Sequence, residues 1–424
     1  MTWGQGNMWD GVVALGSAAS RLNICFAFPI QGSPRIDDAL LRIKALLSLF
    51  DIFSVVFSVE GVTQTFRGEV VVPVHVGETP PDRVLAESAF HVRPEPLHRD
   101  FLHQAFGMHE APIRIELLQR GGSVTHVVLT LSHLAFDGGV HRPLVRQLRS
   151  AVEGLGLPPS VMRTTDLLAY ERSPEGLRQS DTAINHWLRA ATRLPEGRGL
   201  MSMAPGDFSV TTMRSHKAAV AAQTLSVRSG VSPSGIFLAA LSKLIRRHLA
   251  RDLSAMLLVC NNRRQRGLMD FVGQTLGNGL MVIPRDELDG AFVPYAQNVY
   301  AQAISAYRRA RFDTLRWRGV LTELSARGLA TDLSYYFNDV RTDHRSWSGL
   351  ENRVAELSGS GSTTSIATTS RRSMGDATLF ASLGSIGQDC VIDLACDDRC
   401  VMPGEASALL EALETFLVEA ALAL

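Results

Sequence analysis

Val124-Thr125-His126-Val127-Val128-Leu129-Thr130-Leu131 runs directly into Ser132-His133-Leu134-Ala135-Phe136-Asp137-Gly138-Gly139, and this stretch decides the reading of the chain. Its first half is apolar and β-branched and follows Gly121-Gly122, which predicts a buried strand. Beyond it, Val140, Leu144, Leu148 and Val152 recur at helical spacing, which predicts a helix packed on that strand. His133 is therefore expected on a strand-to-helix turn, with Asp137 four residues further on. An imidazole held there can face a cleft and reach a substrate proton, as a general base must.

Outward from this turn the first third alternates between the two periodicities. Ile113 to Leu118 reads as a partner strand, joined to the first across Gly121-Gly122. Asn23 to Phe28 is strand-like, and Ser33-Pro34 opens a helix to about Leu49, with Ser33 as cap. Phe53 to Phe57 and Thr63 to Phe66 form a hairpin about Glu60-Gly61. A polar helical stretch from about Thr164 to Leu194 reads as a connector.

The pattern then begins again. Ser232 caps an apolar helix over Pro233 to His248, and Met256 to Cys260 is a strand. Further strands are expected at Leu280 to Ile283, Leu333 to Phe337, Thr378 to Ser382 and Cys390 to Ala395, with a last helix from Glu405 onward. The Ser/Thr/Gly-rich run from Ser358 to Ser373 has the composition of a surface loop or a polar strand edge. The domain reading is a first lobe over 1–163, a helical connector over 164–195 and a second lobe over 196–424.

Length and composition agree with two domains. The chain has 424 residues, 46% hydrophobic and 20% charged, with 42 basic residues against 42 acidic ones. That balance gives no general attraction to nucleic acid or to an anionic membrane. The N-terminus lacks a basic segment followed by an apolar core, and apolar stretches such as Gly235 to Leu244 are too short to span a bilayer. Five cysteines fit a reducing cytoplasm, and Cys390, Cys396 and Cys400 match no common zinc spacing, so no metal site is expected.

The segment from Ala111 to Leu148, including Ala111-Pro112-Ile113-Arg114-Ile115-Glu116-Leu117 and the His-x-x-x-Asp-Gly turn, resembles the heart of condensation domains of nonribosomal peptide synthetases. These share a fold superfamily with chloramphenicol acetyltransferase and polyketide-associated acyltransferases. The spacing alone means little, since His248-Leu249-Ala250-Arg251-Asp252 repeats it at the end of a helix without a following glycine.

Further matches follow in the family's order. They are Ala183-Ile184-Asn185-His186-Trp187 with Leu194-Pro195, then Val231-Ser232-Pro233-Ser234, then Asn262-Arg263 with Val272-Gly273, Asn278 and Pro284-Arg285, and finally Phe337-Asn338. The chain departs from the family at Ser132, where many members carry a second histidine, and at Ser54, where an arginine is frequent. The Val272-Gly273 loop carries an extra residue before Asn278. Asp270-Phe271-Val272-Gly273 only echoes the Asp-Phe-Gly-Trp-Gly element of plant acyltransferases.

The resemblance implies an α/β sandwich fold of two chloramphenicol acetyltransferase-like lobes, a V-shaped pseudo-dimer with a central tunnel. It implies an acyltransferase that joins an acyl donor, carried as a phosphopantetheine thioester on an acyl or peptidyl carrier protein, to an amine or hydroxyl. The acceptor is a free small molecule or is held by a second carrier. His133 would be the general base, Asp137 its structural brace with Arg263 as partner, and Asn338 would hydrogen-bond the tetrahedral intermediate or hold the acceptor. Ser132, Gly138 and Gly139 would line the approach of substrate and pantetheine.

No bound cofactor is implied. The donor would arrive in trans at a monomeric, cytoplasmic enzyme of natural-product biosynthesis. Two alternatives stand beside this reading: a coenzyme A-dependent O- or N-acyltransferase of the same fold, and a non-catalytic relative that recruits partner enzymes. Arg308, Arg309, Arg311, Arg316 and Arg318 crowd a short helical segment that is either a docking face for an acidic carrier or a solvated helix.

Overall fold

The computed structural model describes residues 1–69, 71–79, 101–192, 194, 206–249, 253–264, 267–283, 291–328, 332–341, 357, 364–374 and 377–424. Of the residues carrying the resemblance, Pro195 and Pro284-Arg285 lie outside this set, as do 250–252 of the second His-x-x-x-Asp and 358–363 of the serine-rich run.

The described residues form two units. One comprises Met1–Asp181, Asn261–Gly277 and Phe312–Leu315, and the other Thr182–Cys260, Asn278–Arg311 and Arg316–Leu424. The expected lobes over 1–163 and 196–424 thus differ from the observed division in three places, one of them Phe312–Leu315, expected in the second lobe and packed with the first unit. The connector is shared between the units at 181/182, inside one continuous helix. Asn261–Gly277, expected in the second lobe, packs with the first unit.

The first unit opens with α1 (Trp3–Leu15), then β1 (Ile24–Pro29), α2 (Ile36–Leu47), the hairpin of β2 (Val55–Ser58) and β3 (Thr63–Phe66), and β4 (Val74–Glu78). It continues with β5 (Ile113–Arg120), β6 (Ser123–Leu131), α3 (His141–Val152), α4 (Thr164–Glu171) and the start of α5 (Pro174–Ala191). The sheet order is β1-β6-β5-β4. β6 is antiparallel to both neighbours, with Leu129 in register with Phe26 on one side and Ile115 on the other.

Arg120 and Ser123 face each other across Gly121 and Gly122, at φ 59° and 80°. Two consecutive positive φ values define a type I′ turn, open to glycine and strained for most other residues. Val127, Leu129 and Leu131 of β6 are buried with Val140, Leu144 and Leu148, so the strand and helix flanking the histidine turn share one core.

Two local readings change. Ser33 does not cap α2: it takes φ 48°, and the helix starts at Ile36 after an extended Arg35. The amino-terminal helix α1, not expected from periodicity, is closed by a capping box in which Thr2 N–H donates to Gln5 Oε1 at 2.7 Å and Gln5 N–H to Thr2 Oγ1 at 3.3 Å.

The second unit carries β7 (Gly206–Ser215), α6 (His216–Ser229), α7 (Pro233–His248), β8 (Ala255–Cys260), β9 (Gly277–Val282), α8 (Phe292–Tyr307) and α9 (Thr314–Ala326). β10 (Tyr335–Asp339), β11 (Ser365–Met374), β12 (Leu379–Ile386), β13 (Cys390–Asp397) and α10 (Pro403–Leu422) follow. Its sheet runs β11-β7-β13-β12-β10-β8-β9, with β10 parallel to β8 and β12. The Ser232 hydroxyl accepts from Gly235 N–H at 3.1 Å, so α7 is capped as read from the sequence. α10 packs against α6 and α7 over a core that includes Phe237, Leu241 and Leu413.

Residues 365–373 of the serine-rich run lie in the edge strand β11, antiparallel to β7. The arginine cluster is not one helical segment. Arg308 follows the end of α8, Arg316 and Arg318 lie in α9, and Arg311 between the helices is buried, so the five do not line one helix face. Among the described residues no helix is long and apolar enough to cross a membrane.

Candidate active site

The turn after β6 is held from inside. Ser132 N–H donates to Pro112 O at 2.9 Å, and Ser132 O accepts from the N–H groups of Ala135 and Phe136 at 3.1 and 3.0 Å. Leu134, Ala135 and Phe136 are buried in the core, and the Phe136 ring lies 5.8 Å from that of Phe53. The turn is thereby pinned by its apolar residues while His133 stays partly buried. Ser132 is itself buried, and the part it plays in the turn is made by its main chain.

His133 Nδ1 lies 2.9 Å from Phe136 O. A carbonyl oxygen only accepts, so Nδ1 carries the proton and donates it there, leaving the lone pair on Nε2. This is the tautomer a base requires. Burial of the ring pushes its pKa below the ordinary 6.5, opposed by the hydrogen bond to Phe136 and by the charge of Asp137.

Asp137 is completely buried, and its carboxylate is fully engaged. Oδ1 accepts from Gly139 N–H at 2.8 Å and from Arg263 Nη2 and Nε at 2.9 and 3.2 Å. Oδ2 accepts from Thr275 N–H at 2.7 Å and faces the Thr275 hydroxyl at 2.9 Å. That hydroxyl also faces Asn261 O at 2.6 Å.

Arg263 is equally complete, since Nη1 donates to Phe271 O and Leu268 O at 2.5 and 3.3 Å and Nη2 donates to Gly273 O at 2.9 Å. Its five guanidinium hydrogens make five hydrogen bonds to four oxygens, Asp137 Oδ1 accepting two. Among the described residues no hydrogen bond joins Asp137 to the imidazole, so the carboxylate braces the turn without forming a dyad with His133.

The loop that delivers Arg263 is built for the purpose. Asn262 takes φ 52°, a conformation asparagine tolerates better than most residues, and its Nδ2 donates to Thr275 O at 3.0 Å. Asn261 Oδ1 accepts from Arg263 N–H at 3.2 Å. Gly139 completes the packing, because a β-carbon there would lie 2.6 Å from Arg263 Cδ and 2.9 Å from Asp137 Oδ1. The guanidinium occupies that space, so position 139 must be glycine whatever passes over the turn. Gly138 opens the short 3₁₀ segment Gly138–Val140 that leads into α3.

The structure thus brings His133, Asp137, Gly138, Gly139 and Arg263 together in the first unit. Asn338 belongs to the second unit, partly buried near the end of β10 and in register with Ser382 of β12. Two residues at the turn escaped the sequence reading. Thr275 is one, and Gln274 is the other. Gln274 Nε2 lies 2.6 Å from His133 O, 3.0 Å from Phe136 O and 3.3 Å from His133 Nδ1. The only signal for them was the extra residue between Gly273 and Asn278.

No family model and no curated protein matches the sequence. Solved structures match its fold. VibH, a nonribosomal peptide synthetase condensation enzyme, superposes with a TM-score of 0.68 at 12% identity, covering 99% of this chain and 95% of its own. The condensation domain of the monacolin K polyketide synthase MokA gives 0.69 at 14% identity over 100% and 97%. The domain that mediates chain release from the enacyloxin polyketide synthase gives 0.69 at 14% over 99% and 82%. The chain has the mixed α/β fold of condensation domains.

Proposed function

We propose that the chain is a condensation-type acyltransferase that moves an acyl group from a thioester to an amine or hydroxyl. The observation that carries this reading is the His133 imidazole, held on its turn with Nδ1–H donated to Phe136 O. In the proposed reaction the acceptor nitrogen or oxygen attacks the thioester carbonyl as Nε2 takes its proton. The tetrahedral intermediate then collapses, the C–S bond breaks, and the departing thiolate takes the proton from the imidazolium. A positioned base of this kind contributes roughly 100- to 10,000-fold.

Asp137 and Arg263 hold the turn, and Asn338 is assigned by resemblance to the oxyanion of the intermediate. An oxyanion donor acts only where charge develops. The donor is proposed to be a phosphopantetheine thioester on a carrier protein, with coenzyme A as the rival source of the same thioester. The domain that mediates chain release from the enacyloxin polyketide synthase shares this fold, which supports the carrier.

The test offers one acyl group in two forms, on a loaded carrier protein and as its coenzyme A ester, with a panel of amines and alcohols. Carrier-dependent product supports the proposal. Equal or better turnover of the coenzyme A ester overturns the carrier assignment, and no product from either, with a recruited partner retained, supports the non-catalytic reading.

The pH dependence follows from the lowered pKa of His133. Protonation of Nε2 abolishes base function, so kcat/KM falls as pH drops through the pKa of the ring. Because burial disfavours the imidazolium, the acid limb is expected below pH 6.5. A limb above that value, measured with a saturating second substrate, would contradict the assignment of His133 as the titrating base.

A further inference from the structure

Gln274 occupies a place that the proposed reaction does not explain. Its Oε1 accepts from Leu276 N–H at 3.0 Å, which settles the orientation of the amide and turns Nε2 toward the histidine turn. The two hydrogens on Nε2 meet His133 O at 2.6 Å and Phe136 O at 3.0 Å, so neither is left for Nδ1. Phe136 O has two lone pairs, one for Gln274 and one for Nδ1–H. The amide thus ties together the two carbonyls that bracket the turn, and one of them is the acceptor that fixes the ring.

The backbone of Gln274 is held from the other side by α1. A β-carbon on Gly4 would lie 2.7 Å from Gln274 O and 3.0 Å from Thr275 Cα, so the helix and the loop touch main chain to main chain. The helix is fastened in turn by its first residues. Trp3 N–H donates to Glu171 Oε2 at 2.9 Å, and Trp3 O accepts from Thr314 Oγ1 at 2.8 Å. Two buried glycines in the first turns of a helix are costly for helix formation: Gly4 is explained by this close approach, and Gly6 by the side chains of Thr314 and Leu315 against it.

We propose that Gln274 is a positioning residue that locks His133 in its Nδ1–H tautomer, and that α1 holds Gln274 in place through Gly4. The proposal deepens the acyltransferase reading and rests on it for its effect on turnover, but not for its effect on the ring. The charged groups at the turn are Asp137 and its partner Arg263, and the first turn of α1 brings no acidic residue. Gln274 therefore acts through its amide and carries no charge to the ring.

The test is Gln274→Met, which keeps the length and apolar stem of the side chain and removes both donors. In protein labelled with ¹⁵N-histidine, with the His133 signals assigned through His133→Gln, the wild type is expected to show a protonated Nδ1 and an unprotonated Nε2 at pH 8. In Gln274→Met the two tautomers are expected to mix. With an acyl-N-acetylcysteamine thioester as donor, kcat is expected to fall about 10-fold while KM stays within about 3-fold, the split expected when orientation in the transition state is lost rather than binding.

Unchanged ¹⁵N shifts and unchanged kcat would overturn the proposal. A changed tautomer beside a fully active His133→Ala enzyme would overturn base catalysis and leave the role of Gln274 standing. Should Gln274→Met fail to fold, Gly4→Ala decides the matter: it displaces Gln274 without touching the amide, and an unperturbed His133 spectrum in that variant overturns the proposal.

Discussion

Arg263→Ala is expected to destabilise the protein by about 3–5 kcal/mol, because it leaves the Asp137 carboxylate buried without its counter-charge. For a unit of this size that is a fall in Tm of roughly 6 to 20 °C. Phe271 O, Leu268 O and Gly273 O lose their donor in the same step, so the loop from 261 to 277 loses its hold on the turn.

The decisive comparison is a double-mutant cycle. Asp137→Asn with Arg263→Met removes both charges and keeps one acceptor oxygen, for Gly139 or for Thr275 but not for both, so it should unfold at a higher temperature than Arg263→Met alone. Thermal denaturation followed by circular dichroism reads the result. Additive losses would show that the pair is not the unit that braces the turn.

His133→Ala is expected to do the opposite, leaving the fold and removing the chemistry. The ring is partly buried, carries no ion pair in this network, and contributes one hydrogen bond to Phe136, worth about 1 kcal/mol. Turnover should fall about 100- to 10,000-fold, the range for a lost general base. Tm should move by only a few degrees on the same argument.

The two variants together separate the roles. Arg263→Ala loses activity by losing the turn, and its activity should recover at low temperature where the fold is retained. His133→Ala should stay inactive at every temperature. A His133→Ala protein that keeps wild-type kcat would remove the base from the mechanism.

The part of the fold legible in the sequence is the part with short-range signals. The β5–β6 hairpin was visible because Gly121-Gly122 sits between two apolar runs, and α3 because four residues at helical spacing form its buried face. α6 was not, since Ala218 to Leu225 is buried without interruption and leaves no polar face to reveal the period. α1 was missed because its buried side includes Gly4 and Gly6, which read as helix breakers until the surfaces they touch are known.

At the site the same division holds. His133 and Asp137 stand out by their setting, between a buried strand and a helix with Gly138-Gly139 following, and Arg263 entered through the family's pattern. Gln274 and Thr275 are an amide and a hydroxyl with no motif of their own, and their partners lie well over a hundred residues away. Only the fold brings them to the turn.

The placement of Asn261–Gly277 has a consequence for how the chain is made. The carboxylate at 137 is committed to the interior of a unit whose guanidinium is translated 126 residues later. Until that loop leaves the ribosome, the amino-terminal sheet can pair its strands and begin to bury Phe26 and Leu129, yet the corner around Asp137 must stay open to water. Unpaired ions are not taken inside. Native contacts of such long sequence separation slow folding. The amino-terminal unit therefore cannot be excised as one continuous fragment ending at Asp181 with its histidine turn in working order, and its completion waits for a segment that begins only after β7, α6, α7 and β8 of the second unit have been synthesised.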